Sequence, residues 1–555
     1  MHARVIFIVA VTHGVVVAAT VSVQPSFLIL FPDQWRSDWD GSFHGVPLRM
    51  PVFESIAVSG TRFVQAYVPS PLCAPSRAAL ASGREYDEAG VPDNTSVDYN
   101  TSIPTFYSLL RAAGYHTMTV GKDDLTKASG CGDAGNFHAA ALGFSDYSRC
   151  KGKQDAGQTA PRALPSCPYG HFLAAHNVSV NGTSTNLWSV FTADDATCCV
   201  TNGDGVGTYL CRNPTLMPQP AYEDDYVADE AVALLARKPA GMPWFLQVSF
   251  PGPHPPFIVT AEMRNSTDGR TFPGAIDNER LPTQQGQVIR RDYAAELEHL
   301  DTLMGRVLDA VPAAEMDNVI VIVASDHGEM LGDHDDWGKI MPWQGSISVP
   351  LVVSAPALGV PVNTTVSVPV ATMDIAGTVL DYAGVARAFN STTQSLRPFL
   401  SVSSRVGDAV AATAPYTSSY RPFVSSGLDA WRLVVRTVAV NTSTSPVTFK
   451  FICCKGDHCI GQPANATSPQ SRSRQVIDAS WHQRVAGSTA PAGRAVSRAE
   501  QQRQRRQNDP TAALWTELLY DVVRDPFDLD NVAAAYPAVV SELRGLLPFG
   551  WCRSR

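Results

Sequence analysis

Short apolar segments that end abruptly in polar side chains recur along the first 385 residues of the chain. The clearest four run from Phe27 to Phe31, from Thr117 to Val120, from Phe245 to Phe250 and from Val319 to Ala324. Segments that are apolar throughout are typical of strands buried on both faces, as in a sheet covered by helices on each side. The pattern therefore predicts a large buried sheet.

Between these segments the hydrophobic positions follow a helical period. Residues 102–113 show it, and so do residues 291–311, where Tyr293, Leu297 and Leu300 fall on one face. Strands that alternate with helices indicate an α/β fold in which a large sheet is flanked by helices.

Each of the four apolar segments is followed by side chains that can do chemistry. These are Asp33, Lys122, His254 and the pair Asp326 and His327. Because open α/β sheets bind ligands beyond the carboxyl ends of their strands, these side chains are expected to converge on one site.

The pattern changes after residue 385, where Ser, Thr, Ala and Pro become frequent and apolar runs become rare. Two strands are predicted there, at residues 431–440 and 447–453. Residues 386–555 are therefore interpreted as a smaller C-terminal α+β unit. Within it, residues 468–508 are poor in apolar side chains and contain several arginines, which is compatible either with a flexible solvated insertion or with a basic arm for polyanions.

The overall composition excludes several classes of protein. The chain has 555 residues, of which 45% are hydrophobic and 17% charged, so it is neither disordered nor a coiled coil. Its length requires at least two structural units. The formal net charge of −9 argues against a general nucleic-acid binder.

The N-terminus and the sequons point to the secretory pathway. Residues 1–19 combine an early basic side chain, an apolar run and a small pair at Ala18 and Ala19, which predicts a cleaved signal peptide. The run is too short to span a bilayer, and no later stretch is long enough, so no stable membrane span is expected. Nine N-x-[ST] sequons are compatible with a glycoprotein that is extracellular or lysosomal.

The chain contains eleven cysteines, an odd number. In an oxidising compartment most cysteines form disulfides, although the sequence does not give their pairing. One cysteine must therefore remain outside intramolecular disulfides.

The segment from Cys73 to Arg84, CAPSRAALASGR, resembles the sulfatase signature C-x-P-S-R-x-x-L-x-x-G-R at every fixed position. It is expected to present Cys73 at the start of a helix, where backbone N–H groups favour an anion, with Arg77 one turn further along. A protein-tyrosine-phosphatase loop is the rival interpretation. It requires an arginine six positions after the cysteine, where this chain has Ala79.

The resemblance implies that a formylglycine-generating enzyme converts Cys73 to formylglycine, whose hydrate is the nucleophile. It also accounts for the odd cysteine, because ten remain for up to five disulfides. The implied fold is the alkaline-phosphatase-like sulfatase fold, with a catalytic domain at residues 25–385.

Further matches to the family imply a metal site. The segment beginning Asp33-Gln34 is similar to the first metal-binding loop of the superfamily, in which Asp33 is a ligand and Gln34 either a ligand or, as in phosphonate monoester hydrolases, a group that faces the substrate. The segment beginning at Ser325 resembles the second metal segment, which implies Asp326 and His327 as ligands together with residue 73. Oxygen ligands favour Ca²⁺ or Mg²⁺, with Ca²⁺ expected, while the imidazole of His327 also permits Mn²⁺.

The remaining catalytic candidates also come from the resemblance. Lys122 and Lys339 match the sulfate-binding lysines, and Arg77 is expected to help them neutralise the sulfate in the transition state. His254 matches the histidine that faces the leaving-group oxygen. Asp124 stands where most sulfatases have a histidine next to formylglycine. The resulting G-K-x-D pattern is similar to the arylsulfatase K group, and it leaves open whether Asp124 serves as a base or as an orienting group.

The sequence therefore predicts a formylglycine-dependent sulfatase that acts on a sulfated carbohydrate or an aryl sulfate. Two alternatives remain. A phosphonate or phosphate monoester hydrolase on the same scaffold is suggested by Gln34 and by His327, whereas Lys122 argues against it. A non-catalytic protein that binds sulfated glycans is expected to lose Cys73 or the lysines, all of which are present.

Overall fold

The computed structural model describes most of the region before residue 385 and a smaller part of the remainder. The described ranges are residues 24–42, 45–94, 98–127, 133–150, 168–180, 182–190, 213–278, 283–385, 391–401, 420–440, 446–455, 515–548 and 551–552, together with the two-residue strands Phe7–Ile8, Val11–Thr12, Val15–Val16 and Ala19–Thr20. The insertion at residues 468–508 and most of the signal peptide at residues 1–19 lie outside the described residues, so both stay predictions.

An eight-stranded mixed sheet forms the centre of the molecule. Its strands, in chain order, are β1 (Ser26–Leu30), β2 (Thr61–Phe63), β4 (His116–Lys122), β5 (Asp146–Cys150), β8 (Trp244–Ser249), β9 (Val319–Ala324), β10 (Leu351–Ser354) and β11 (Thr364–Val366). Four shorter strands pair outside this sheet, β3 (Ala66–Tyr67) with β12 (Val370–Ala371) and β6 (Asn177–Val180) with β7 (Thr183–Asn186).

The strand order is β11-β2-β10-β9-β1-β8-β4-β5. Strand β10 runs antiparallel to both of its neighbours, whereas the other five pairings are parallel. The four strands whose ends carry the predicted site, β9, β1, β8 and β4, are adjacent and parallel. Their carboxyl ends therefore meet at one edge of the sheet, as the sequence predicts.

Helices cover both faces of this sheet. They are α1 (Pro51–Val58), α2 (Cys73–Ser82), α3 (Phe106–Ala112), α4 (Asp133–Leu142), α5 (Pro168–Ala175), α6 (Glu223–Arg237), α7 (Ala261–Ser266), α8 (Thr283–Asp309), α9 (Ala313–Met316), α10 (Gln344–Ile347) and α11 (Asp374–Tyr382). Along β1 the side chains alternate between two cores, because successive residues of a strand point to opposite faces. Leu28 and Leu30 pack with α1, α6 and α8. Phe27 and Ile29 pack with α2, α3 and α11.

Two helix boundaries differ from the sequence-based prediction. Helix α3 begins at Phe106 rather than at residue 102, because Thr105 caps it and accepts a hydrogen bond from the Ser108 N–H at 3.0 Å. Helix α8 begins at residue 283, eight residues before the predicted start. Its first turns are rich in glutamine and lack the hydrophobic period that the prediction required.

The C-terminal part forms a second, smaller sheet. Its antiparallel strands are β13 (Val424–Leu428), β14 (Trp431–Val438), β15 (Val447–Lys455) and β16 (Trp515–Asp521), and helix α12 (Pro537–Arg544) packs on one face. The large mixed sheet and the small α+β unit confirm the predicted fold class. The predicted domain boundary at residue 385 stays a prediction.

The other face of the small sheet packs against the loops at the carboxyl edge of the large one. Leu433 and Ile452 of the small sheet share a hydrophobic cluster with Leu72, Met330 and Ile347. Leu72 directly precedes Cys73, so the small sheet forms part of the wall behind the predicted site.

The described cysteines agree with an oxidised chain. Cys453 and Cys552 form a disulfide, Cys454 is also disulfide-bonded, and Cys73 is a free thiol. In the described part of the chain, no helix is both long enough and apolar enough to cross a membrane.

Candidate active site

The predicted site residues meet at the carboxyl edge of the large sheet. Asp33 and Gln34 follow β1, Lys122 ends β4, His254 follows β8, and Asp326 follows β9. The strand ends can come this close partly because Gly121 precedes Lys122. Gly121 has a φ of 88°, and a Cβ atom at this position would lie 2.0 Å from the Ser249 carbonyl oxygen. No other residue can therefore replace the glycine.

Cys73 is the first residue of helix α2 and is 1% exposed. Leu72, at the N-cap position, provides no side-chain cap, and the Ala74 N–H donates instead to Asn94 Oδ1 at 2.9 Å. The sequence marks Asn94 only as a sequon, so this contact to the first turn of the helix was not anticipated.

Arg77 is buried one turn after Cys73, and three of its nitrogens are occupied. Nε donates to Asp326 Oδ2 at 2.9 Å, one terminal nitrogen donates to the Lys122 carbonyl oxygen at 2.5 Å, and the other donates to Asp33 Oδ2 at 3.2 Å. The guanidinium therefore fixes three of the four strand ends relative to one another.

Three nitrogen atoms surround the sulfur of Cys73. Lys339 Nζ lies 3.0 Å from Sγ, His327 Nε2 lies 3.1 Å from it, and Lys122 Nζ lies 3.5 Å from it. Burial and Asp33 raise the pKa of the thiol, but Lys122, Lys339 and His327 outweigh them and hold it well below its ordinary value. The site thus stabilises negative charge at position 73.

The same region offers a compact set of metal-ligand atoms. One atom each from Asp33, Cys73, Asp326 and His327 lie within 4.8 Å of one another. Asp33 Oδ1 is buried and accepts no hydrogen bond in the described structure, which is a costly arrangement unless a cation is bound there. This donor set fits a divalent cation.

The charges of the buried acids are unequal. Burial raises the pKa of Asp33, but Lys122 and the neighbouring cations reverse this effect and hold the pKa well below its usual range. For Asp326, burial outweighs Arg77 and the pKa is raised. Burial also lowers the pKa of His327, yet Asp326 outweighs it and the net shift is upward.

The other two catalytic candidates lie beside the lysines. Asp124 is paired with Lys122 at 3.4 Å and with Lys127 at 2.8 Å, so these cations hold its pKa below the usual range despite its burial. His254 is held in its neutral form, because burial, Lys339 and Lys122 keep its pKa well below the ordinary value. Its Nδ1 lies 2.6 Å from the Pro255 carbonyl oxygen, which fixes the ring and places the donor hydrogen on that nitrogen.

Gln34 connects the site to a buried acid. Its Oε1 accepts from Lys339 Nζ at 2.8 Å, and its Nε2 donates to Glu329 Oε2. Glu329 lies in the segment that resembles the second metal segment of the family, but no local pattern assigns it a role.

Asp333 and His334 lie outside this cluster. Asp333 pairs with Arg36 at 2.8 Å, and His334 Nε2 is 2.8 Å from the Phe527 carbonyl oxygen. Both therefore join loops around the site and do not contact its reacting atoms.

Two curated relatives are named as sulfatases. Choline-sulfatase of Rhizobium meliloti is 26% identical over 447 residues, which cover 74% of this chain and 78% of the relative. Arylsulfatase K of Danio rerio is 25% identical over 355 residues, which cover 64% of each chain.

Solved structures show the same fold. A protein in complex with its substrate D-glucosamine-2-N,6-O-disulfate aligns with a TM-score of 0.62 at 18% identity, covering 95% of this chain and 97% of that one. The phosphonate monoester hydrolase of Agrobacterium radiobacter aligns with a TM-score of 0.60 at 18% identity, covering 94% of each. The sulfatase family model matches residues 25–385, well over half of the sequence, and the chain therefore belongs to the sulfatase family of sulfuric ester hydrolases.

Proposed function

We propose that this protein hydrolyses sulfate esters through a formylglycine formed from Cys73, with a divalent cation held by Asp33, Asp326, His327 and residue 73. The observation that carries the proposal is the position of Cys73, whose sulfur lies beside the metal-ligand atoms and within 3.5 Å of two lysines. A nucleophile, a cation site and two cations for an anionic substrate thus meet in one place.

When bound, the cation would polarise the sulfate oxygens and make the nucleophilic hydroxyl more acidic. The carboxylates favour Ca²⁺ or Mg²⁺, of which we propose Ca²⁺, and the imidazole of His327 is also compatible with Mn²⁺. Gln34 directs its amide oxygen to Lys339. We therefore propose that it acts through that lysine, although its membership of the ligand set stays a prediction.

Lys122 and Lys339 are the groups that would neutralise the sulfate as charge shifts during attack on sulfur. Burial lowers the pKa of Lys122, but Asp124 and Asp33 reverse this effect and raise it well above its usual value, so the lysine remains charged. Arg77 contributes by orienting Asp33 and Asp326, because its nitrogens are occupied by those carboxylates and by the Lys122 carbonyl.

His254 is the proposed general acid for the leaving alcohol. Its pKa is low, chiefly because of burial and then because of Lys339 and Lys122. A bound sulfate ester would offset part of that positive charge and raise this pKa. Protonation of His254 is therefore coupled to substrate binding.

Asp124 is proposed to hold Lys122 in place. Its two oxygens pair with Lys122 and Lys127, and its pKa is lowered, so it remains an anion. A lowered pKa makes Asp124 a weak base, so of the two roles left open by the sequence we propose the orienting one.

The maturation route and the location follow from the same proposal. Conversion of Cys73 requires a formylglycine-generating enzyme, and the predicted signal peptide and nine sequons would take the chain through the compartment where that conversion occurs. The mature enzyme would then be extracellular or lysosomal and would act on a sulfated carbohydrate or an aryl sulfate.

The test combines mass analysis with turnover. The protein is produced in a secretory host that contains a formylglycine-generating enzyme. It is digested, the mass of the peptide that contains residue 73 is measured, and hydrolysis of an aryl sulfate is assayed on the same material. The expected result is an aldehyde at position 73 in the active fraction, and no turnover by Cys73→Ala. Full activity with an unmodified thiol would refute the proposal.

Phosphonate or phosphate monoester hydrolysis is the second candidate. Gln34 and the Asp326–His327 pair favour it, and a phosphonate monoester hydrolase shares the fold. A ratio of rates on matched sulfate and phosphonate esters distinguishes the two. A panel of sulfated sugars scored by released sulfate would then identify the substrate, and tight glycan binding without any turnover would instead support a non-catalytic role.

A further inference from the structure

Glu329 is a fully buried carboxylate that lies next to the site but contacts neither Cys73 nor the proposed ligands in the described structure. Its Oε1 accepts from the Leu331 N–H at 2.9 Å and from the Gly338 N–H at 2.7 Å. Its Oε2 accepts from Gln34 Nε2. Two of these three contacts lead toward Lys339, because Gly338 directly precedes it and Gln34 bonds to its ammonium.

The orientation of the Gln34 amide follows from its two neighbours. Lys339 Nζ has only donors, so it requires the amide oxygen, while the carboxylate of Glu329 requires the amide N–H. Gln34 is also held in the left-handed region of backbone space, with φ of 69°, which is unusual for a residue other than glycine. Its backbone is fixed on both sides, since its N–H donates to Asp326 Oδ1 at 3.1 Å and its carbonyl accepts from Tyr293 Oη at 2.9 Å.

The two lysines of the site are therefore held in different ways. Lys122 pairs directly with Asp33 and Asp124. Within the described residues, Lys339 makes no ion pair with a carboxylate, and the neutral amide of Gln34 separates it from Glu329. An amide fixes the direction of the ammonium without cancelling its charge, which leaves that charge available to a substrate anion.

We propose that Glu329 is a positioning residue that holds Lys339 against residue 73, through the amide of Gln34 on one side and the backbone of Gly338 on the other. The proposal rests on the function proposed above, because it concerns the same anion-binding lysine.

The test exploits the polarity of the hydrogen bonds. All three neighbours of Glu329 are hydrogen-bond donors: the N–H groups of Leu331 and Gly338 on one oxygen and the amide of Gln34 on the other. In Glu329→Gln one end of the side chain becomes a donor, so in either orientation of the new amide two donors face each other. The double variant Gln34→Glu/Glu329→Gln restores complementarity. The new carboxylate at position 34 accepts from Lys339 and from the new amide, whose oxygen again faces Leu331 and Gly338.

We expect Glu329→Gln to lower kcat on a sulfate ester about thirty-fold with a smaller change in KM. The double variant should recover about five-fold of that loss and not all of it, because the carboxylate at position 34 offsets part of the Lys339 charge. Gln34→Glu alone places two carboxylates opposite each other and should be no better than Glu329→Gln. If Glu329→Gln does not fold, Gln34→Met removes the connection while leaving the backbone contacts of Glu329, and should show the same loss. A purely structural role would move the unfolding temperature but would give no recovery of kcat in the double variant.

A second measurement does not need turnover. Calorimetric binding of inorganic sulfate to the Cys73→Ala protein should weaken about ten-fold when Glu329→Gln is added and strengthen again in the swapped pair. The binding measurement remains informative even if the wild-type enzyme hydrolyses no sulfate ester. It therefore tests the role of Glu329 independently of the proposed sulfatase activity. Unchanged sulfate affinity in Glu329→Gln, or no recovery in the swapped pair, would overturn the assignment of Glu329.

Discussion

Two buried lysines, Lys122 in the site and Lys450 in the small sheet, each contact an aspartate but are perturbed in opposite directions. Burial lowers the pKa of Lys450, and its partner Asp528 does not fully compensate, so the net shift is downward. Burial also lowers the pKa of Lys122, but Asp124, Asp33 and Cys73 together reverse the effect. Lys450 pairs with one carboxylate, Asp528, to which Asp525 adds a smaller effect, whereas three anionic groups act on Lys122.

The difference separates a structural pair from a functional cluster. Asp528 accepts from Lys450 and from the Gln344 N–H at 2.8 Å, which ties the small sheet to the loop after Lys339. In such a pair, the charge of the lysine is balanced by its neighbouring aspartate. In the site, by contrast, several charges of both signs are buried together. Burying them lowers the stability of the folded protein, but it allows the site to bind a substrate anion and a metal cation.

Removing the charge of Lys122 should have the largest effect on catalysis. Lys122→Met should lower kcat/KM for a sulfate ester by about 10³-fold, because one charge contact to the transition state is lost. The matched control is Lys238→Met. That lysine pairs with Glu315 at 2.8 Å and lies near Trp244, at the opposite end of the sheet, so its loss should leave turnover nearly unchanged. Equal losses in the two variants would remove the basis for assigning Lys122 to the site.

Lys450 should instead affect stability. Lys450→Met leaves Asp528 buried without a counter-charge and should lower the free energy of unfolding by about 3–5 kcal/mol. Lys450→Met/Asp528→Asn should be less destabilising than the single change, since the amide still accepts from the Gln344 N–H. Denaturant titrations followed by circular dichroism measure both values. A folded Lys450→Met protein with a catalytic loss as large as that of Lys122→Met would erase the distinction between the two lysines.

This contrast also shows what the sequence was able to predict. Lys122 was found because it follows an apolar strand and a recognisable motif, and the buried strands themselves were evident from their composition. Lys450 lies inside a strand and carries no local signal. The Gln34–Glu329 contact joins residues 295 positions apart, and the three contacts of Arg77 join separate strand ends. These features depend on tertiary packing and not on local pattern.

A buried carboxylate that has no cationic partner among the described residues provides a third case. Asp301 accepts from the N–H groups of Val52 at 3.0 Å and Phe53 at 2.7 Å, at the start of α1, and burial raises its pKa to about 6. Because an unfolded aspartate titrates near about 3.9, the folded protein binds more protons between these values, and stability should fall as pH rises from about 4 to about 6. Asp33 is buried too, but its neighbouring cations lower its pKa instead.

The expected contribution of Asp301 to this pH dependence is about 3 kcal/mol. In Asp301→Asn the unfolding free energy should lose this part of its slope between pH 4 and 7, while the new amide still accepts one of the two backbone N–H groups. Unfolding curves of both proteins across that range provide the measurement. An identical slope in the variant would show that Asp301 titrates at its unfolded value.

The smallest expected effect concerns how the small sheet supports the site. Ile340, directly after Lys339, has φ of 77°, a strained value for a β-branched residue. Its N–H donates to the Pro71 carbonyl oxygen at 3.1 Å, and its carbonyl accepts from Trp431 Nε1 of the small sheet at 2.9 Å. The indole thus helps to hold the backbone that carries Lys339. On its other side this backbone bonds to Pro71, which lies two residues before Cys73.

Trp431→Phe keeps an aromatic ring in the same cluster but removes this hydrogen bond, which is worth about 1 kcal/mol. We expect a three- to ten-fold loss in kcat/KM with a nearly unchanged unfolding temperature, because the strained turn relaxes and Lys339 is held less firmly. Trp343→Phe is the matched control, since in the described structure Trp343 Nε1 is buried and makes no hydrogen bond. A loss of the same size in both variants would mean that the small sheet supports Lys339 through packing alone, whereas a loss confined to Trp431→Phe would assign the effect to the indole N–H.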